Sequence, residues 1–276
     1  MKASPTTSSA VRLGRLARLG WHFALGIFIV ATRYRRLAQA ERAVITRRWS
    51  TQLLHILGIR IEIEGVNPGF YPPNTLLVAN HVSWLDIFAL NSCTVSRFVA
   101  KQEIRTWPVI GWLVETGGTL FIDRSNRRDA SRVNQLLSNA LANGSCMAVF
   151  PEATTSDGTG MLPFKASLFE AALPSSSIVQ PVALRYQLPD GRLTTAAAYA
   201  GDTTFWQSLR AVLATPSMVV KISYGTPLKA GCGELTTRFA LSDAARRSIA
   251  ASLKLPAPET PDTARTAPAD PPAVAR

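Results

Sequence analysis

From residue 59 onward the chain alternates short apolar runs with stretches of helical period, and this restricts the fold more than any other feature. Ile59-Arg-Ile-Glu-Ile-Glu64 alternates with period two, the mark of a half-exposed strand. Further strands are expected at Thr75–Ala79, Arg97–Ala100, Thr119–Ile122, Met147–Phe150, Ile178–Tyr186, Leu193–Tyr199 and Met218–Tyr224. Helices are expected near 84–92, 103–116, 127–143, 164–173, 203–215 and 238–253. Such alternation implies a mostly parallel or mixed sheet covered by helices, a three-layer α/β domain over residues 59–255. Ligands of such folds collect beyond the carboxyl ends of the strands. Residues 256–276 hold six of the 18 prolines and read as a flexible tail.

The charge is distributed unevenly. Of a formal net charge of +12, residues 1–60 carry +10, from Lys2 and ten arginines against Glu41 alone. A domain that grips nucleic acid would spread cations over its folded body, so no nucleic-acid partner is expected. Here the cations flank an uncharged segment, Leu19–Thr32, with Arg15 and Arg18 before it and Arg33, Arg35 and Arg36 after it. Fourteen residues are short of the roughly 20 that a spanning helix needs, so a helix lying in the membrane interface fits better. A signal peptide with Ala38-Gln39-Ala40 as cleavage site and a buried soluble helix are the competing readings. Arginines on both flanks favour cytoplasmic retention. Residues 38–57 read as an amphipathic helix, with Val44, Trp49, Leu53, Ile56 and Leu57 opposite Arg42, Arg47 and Arg48. Residues 1–58 are therefore expected to be a helical pair on an anionic membrane surface, unless the second helix uses its apolar stripe against the rest of the protein. The three cysteines, 93, 146 and 232, lie far apart, so neither a disulfide framework nor a metal site is expected.

The chemistry begins at Leu76-Leu-Val-Ala-Asn-His81-Val-Ser-Trp-Leu-Asp86, where an apolar strand runs into one of three histidines. An i, i+5 pair lies about 140° apart on a helix with ~3.6 residues per turn. His81 and Asp86 therefore meet only if His81 sits in the turn before the helix, with Ser83 as N-cap. The bland alternative is that Ser83 and Asp86 form a variant capping box and nothing more. Phe121-Ile-Asp-Arg124 places an arginine just past a strand, suited to a phosphate or to an ion pair with Asp123. Phe150-Pro-Glu-Ala-Thr-Thr-Ser156 places a carboxylate and hydroxyls past another, though any strand exit can look like this. Pro181 inside an apolar run marks an edge, a bulge or a strand start.

In this order the four blocks resemble the motifs of the lysophospholipid acyltransferase family, the glycerolipid acyltransferases typified by 1-acylglycerol-3-phosphate acyltransferase. The N-H-x4-D motif is Asn80, His81 and Asp86, the second motif Phe121 to Arg124, the third Phe150 to Ser156, and the fourth Pro181. Phe98–Lys101, Trp107–Gly111 and Leu162–Lys165 are similar too, so the likeness spans roughly residues 12–230. The resemblance implies direct transfer of an acyl chain from acyl-CoA or acyl-acyl carrier protein to the free hydroxyl of 1-acyl-sn-glycerol 3-phosphate, giving phosphatidic acid. No bound cofactor or metal is implied. A neutral imidazole at His81 would take the hydroxyl proton, and Asp86 would fix its tautomer. Backbone N–H groups around His81 would serve as oxyanion donors.

The resemblance assigns Arg124, Glu152, Thr154, Thr155, Lys101 and Lys165 to substrate binding, and places the enzyme on the cytoplasmic side of the inner membrane. Two positions depart from the pattern: Ala153 replaces the third motif's glycine, and Thr155 its arginine. A hydroxyl cannot replace a bidentate cationic fork, so phosphate would fall to Arg124 with Lys101 or Lys165. Alternatively the acceptor is a lyso-ornithine lipid, since the bacterial acyltransferases for that lipid belong to the same family and tolerate threonine there. From other classes, a non-catalytic membrane-surface protein remains open, and a lipid hydrolase lacks a G-x-S-x-G elbow.

Overall fold

The computed structural model describes residues 6–123 and 127–256, apart from the side chains of 127, 128 and 130. The elements in chain order are α1 (Ser9–Thr32), α2 (Gln39–Ile56), β1 (Ile59–Glu64), β2 (Thr75–Ala79), α3 (Asp86–Cys93), β3 (Arg97–Lys101), α4 (Ile110–Thr116) and β4 (Leu120–Ile122). They continue with α5 (Arg127–Ala142), β5 (Cys146–Val149), β6 (Ile178–Gln187), α6 (Phe205–Ala214), β7 (Met218–Tyr224), β8 (Leu228–Lys229) and α7 (Arg238–Leu253).

Among the described residues the strands form one mixed sheet in the order β1-β7-β6-β2-β5-β3-β4, with β8 also on β6. β6, β2, β5, β3 and β4 are mutually parallel, whereas β7 runs antiparallel to β6 and takes β1 beside it in parallel. The central strand β2 is buried on both faces, as its unbroken apolar sequence requires. Leu77 and Ala79 point into one core with Leu53 and Leu54 of α2, Leu57 just after it, Leu90 of α3 and Leu209 of α6. Leu76 and Val78 point into the other, with Leu137 of α5, Phe169, and Leu241 and Ile249 of α7. The three layers expected from the alternation are thus present.

Several local expectations change. Leu193–Tyr199 is not a strand: a single bridge joins Leu193 to Gln187, and the segment runs as a loop from Thr194, bonded to the Tyr186 carbonyl, to Tyr199, bonded to that of Val82. Its run of three alanines and two threonines offers little apolar side chain to hold a further strand in register. Residues 103–116 split at Pro108 into a 3-10 turn, Gln102–Thr106, and α4. Residues 166–172 form a 3-10 helix. Pro181 lies inside an interior strand, at the junction where the antiparallel partner of β6 changes from β8 to β7. A missing N–H is tolerated there because neither ladder is continuous across it. The expected tail from 257 on lies outside the described residues.

α2 turns Leu53 and Leu54 into the core, Leu57 follows them there just past its end, and Val44 is left exposed, so most of the expected apolar stripe packs on the domain. α1 is docked along one face. Thr7 bonds the carbonyls of Leu213 and Ala214, and Arg15 donates to those of Thr215 at 2.8 Å and Pro216 at 2.6 Å, closing the end of α6. Farther along, the His22 ring stacks on Trp49, with 4.7 Å between centroids. The opposite face presents Leu13, Trp21, Leu25 and Phe28 to solvent.

Candidate active site

The ladder between β2 and β6 ends at Ala79 and Val182. Asn80 extends it with its side chain, donating from Nδ2 to the Leu184 carbonyl at 3.0 Å and accepting the Leu184 N–H at 2.7 Å. The backbone is thereby freed to leave the sheet, and His81 becomes the first residue of a turn above its carboxyl edge.

Asp86 opens α3 and is fully buried. A buried carboxylate is tolerated when its lone pairs are filled, and these are. Oδ2 accepts from His81 Nδ1 at 2.8 Å and from the N–H groups of Val82 and Ser83 at 2.7 and 2.9 Å. Oδ1 accepts from the Tyr186 hydroxyl at 2.7 Å. The expected Ser83 N-cap does not form: the helix starts at Asp86, and Ser83 Oγ accepts from Leu85 N instead. His81 nevertheless sits before the helix, as the spacing demanded. With the carboxylate as acceptor, Nδ1 carries a proton, and in the neutral ring the lone pair is on Nε2, directed away from Asp86. The ring is one-fifth exposed and stacks on Phe150, with 3.9 Å between centroids and 10° between planes. Phe150 in turn stacks on Phe98.

Glu152 is 4% exposed, which pushes its carboxyl above the usual carboxylate range. Oε1 accepts the His81 N–H and Oε2 the Leu162 N–H, both at 2.7 Å. Where the sequence placed it among substrate contacts, the geometry places it beneath the turn that carries His81, as a brace between that turn and the 150–165 loop. The N–H groups of His81, Val82 and Ser83 are all engaged by Glu152 and Asp86, so the oxyanion donors expected there are already in use. Ala153 has φ +62°, the left-handed region in which glycine is favoured. Thr155 Oγ1 donates to the Tyr199 carbonyl, and Ser156 N to that of His81. Thr154 is exposed.

The first three sequence blocks, as far as they are described, lie at the carboxyl ends of β2, β4 and β5, and Pro181 lies within β6 in register with Val78 of β2. Lys101 ends β3 and is exposed, paired with Glu103 at 2.9 Å. Lys165 is exposed, and its N–H bonds the Pro151 carbonyl next to Glu152. Arg124 lies outside the described residues. Sequence reasoning missed Tyr186, one hundred positions from Asp86. Its only signal was a hydroxyl on the strand face shared with Val182 and Leu184, and a buried tyrosine O–H usually finds a partner. Among the described residues no group of three or more His, Cys, Asp or Glu could hold a metal ion.

The acyltransferase family model matches residues 60–185, the span holding all four blocks. The 1-acyl-sn-glycerol-3-phosphate acyltransferase of Neisseria meningitidis serogroup B is 37% identical over 253 residues, covering 90% of this chain and 96% of that one. The lyso-ornithine lipid O-acyltransferase of Pseudomonas aeruginosa is 38% identical over 194 residues, covering 68% and 73%. The fold is that of the 1-acyl-sn-glycerophosphate acyltransferase from Thermotoga maritima, with a TM-score of 0.63 at 19% identity over 87% of this chain and 96% of that one. Together with the turn after β2 that brings His81 onto Asp86, these likenesses place the protein: the chain belongs to the acyltransferase family.

Proposed function

We propose that this acyltransferase moves an acyl chain from a thioester donor, acyl-CoA or acyl-acyl carrier protein, to the free hydroxyl of 1-acyl-sn-glycerol 3-phosphate. The observation that carries the reading is the 2.8 Å contact between His81 Nδ1 and a buried, fully bonded Asp86 carboxylate, which leaves Nε2 as a base. As the hydroxyl oxygen attacks the thioester carbonyl, Nε2 takes its proton. The C–O bond forms, the C–S bond breaks, and the imidazolium returns the proton to the departing thiolate. Asp86 stabilises the imidazolium in between. The acceptor hydroxyl attacks directly, so the chain needs no nucleophile of its own and no bound cofactor or metal.

A lysophosphatidate acceptor is favoured because the Neisseria relative matches over nearly its whole length. A lyso-ornithine acceptor is the second reading, supported by Thr155 in place of the third motif's arginine and by the Pseudomonas relative. Arg124, with Lys101 or Lys165, is proposed to hold the phosphate, and Thr154 and Thr155 to face the head group. Arg124→Ala should then raise KM for lysophosphatidate, and Thr155→Arg should impair the reaction only if ornithine is the native head group. Purified protein in detergent, given each lysolipid and each donor, tests the whole reading. Phosphatidic acid should form fastest, whereas free fatty acid or no product would overturn it.

We place the protein on the cytoplasmic face of the inner membrane, with α1 lying in the interface. By length and composition α1 could cross a membrane. Its bonds to the end of α6 and its stack on Trp49 favour instead a helix held flat against the domain, its outer face in the lipid.

A further inference from the structure

We propose that Tyr186 is a positioning residue of the reaction: its hydroxyl donates to Asp86 Oδ1 and so sets both the orientation of that carboxylate and its pull on the His81 ring. The proposal rests on the reading of His81 and Asp86 as the dyad. Its geometry is closed on every side. Tyr186 is 1% exposed near the end of β6, and its neighbours in register are Val220 of β7 and, on the same strand face, Leu184 and Val182. The hydroxyl reaches Asp86 at 2.7 Å, and no other partner is bonded to Oδ1 among the described residues. The three donors on Oδ2 come from the catalytic turn itself and would move with it. Among the described residues Tyr186 alone ties the carboxylate to the sheet.

The chemistry follows from sharing one negative charge among four donors. A strong O–H donor on Oδ1 draws charge from the carboxylate, which lowers the attraction of Oδ2 for an imidazolium. Burial, and then the Asp86 charge, hold the phenol above its ordinary titration range, so it donates throughout the working pH range. The ionisable groups facing Asp86 are His81 from the turn after β2, Tyr186 from β6 and Glu152 from the loop after β5; the other ionisable group of α3, Cys93, sits at the far end of the helix, seven residues on. Without Tyr186 the imidazolium is held harder and the neutral base is available only at higher pH.

The test is the pH profile of acyl transfer by Tyr186→Phe in the full chain, beside Tyr224→Phe. Tyr224 is a second buried tyrosine, whose hydroxyl meets Thr94 at 3.0 Å and does not touch the dyad. Tyr186→Phe should lower kcat about tenfold with KM within about twofold, since only orientation and charge at the dyad change. Its acid limb should move up by roughly half a pH unit, a fraction of what a charge-assisted bond is worth to the carboxylate itself. Tyr224→Phe should lose stability without moving the limb. Should Tyr186→Phe fail to fold, 3-fluorotyrosine at 186, a stronger donor of nearly the same shape, should move the limb down. An unmoved limb in a folded Tyr186→Phe or in the fluorotyrosine protein would overturn the proposal. A fully active His81→Ala would instead overturn the dyad on which it rests.

Discussion

Glu152 shows how a residue legible in the sequence can have an illegible role. The third motif marked it, but only the fold reveals that both its oxygens accept backbone N–H groups, from His81 and Leu162. Glutamine can accept with one oxygen only, so Glu152→Gln should leave one N–H facing an NH₂ group. That should cost about 1–3 kcal/mol of stability, and kcat should fall with the displaced His81 while KM is little changed. Calorimetry and initial rates would check both. The pH dependence has a definite sign. Burial raises the folded carboxyl, so the folded chain binds that proton more tightly than the unfolded chain. This contribution to stability is greatest in acid and is lost as pH rises from the unfolded carboxyl value through the raised folded one. Glu152→Gln should abolish that slope in Tm against pH. Ala153 is the complementary case. Its φ of +62° accounts for glycine in the motif, and Ala153→Gly should stabilise the chain by up to about 1 kcal/mol in denaturant unfolding. An equal or lower stability would show that the loop relaxes around alanine.

At the scale of elements, strands with unbroken or strictly alternating apolar runs could be read directly, because burial on one or two faces writes period two or a continuous run into the chain. β1, β2, β6 and β7 were legible for that reason. Leu193–Tyr199 was not, since a loop packed on the core carries small apolar residues as a weak strand would. The helix after Asn80 was legible but its start was misplaced: Asp86 gathers the preceding N–H groups itself and leaves Ser83 no cap to make. The docking of α1 was invisible, because arginines before an apolar segment look alike whether they meet lipid or carbonyls. Arg15 meets carbonyls at the end of α6. Arg15→Ala should therefore loosen α1, costing about 1–2 kcal/mol after allowance for its partial exposure. Faster hydrogen exchange in both α1 and the end of α6 is expected; a change confined to α1 would contradict the clamp.

For the molecule as a whole, the charge asymmetry, the exposed face of α1 and the site at the carboxyl end of β2 suit the proposed action on lipid at a membrane surface. Trp21 and Phe28 are 74% and 62% exposed, so replacing both with lysine should leave the fold intact. Each removes an apolar side chain worth roughly 1.5–3 kcal/mol when buried in lipid. Partition into vesicles containing anionic lipid should thus fall about a hundredfold, and unchanged partition would remove α1 from the membrane contact.

The central claim is that His81, oriented by Asp86, is the base that activates the acceptor hydroxyl. The measurement that bears on it most directly is the rate of phosphatidic acid formation from acyl-CoA and 1-acyl-sn-glycerol 3-phosphate, by purified wild-type protein and by His81→Ala of equal thermal stability. General-base catalysis is worth about 10²–10⁴-fold, and a loss of that size in kcat is expected. A His81→Ala protein that turns over at nearly the wild-type rate would contradict the account.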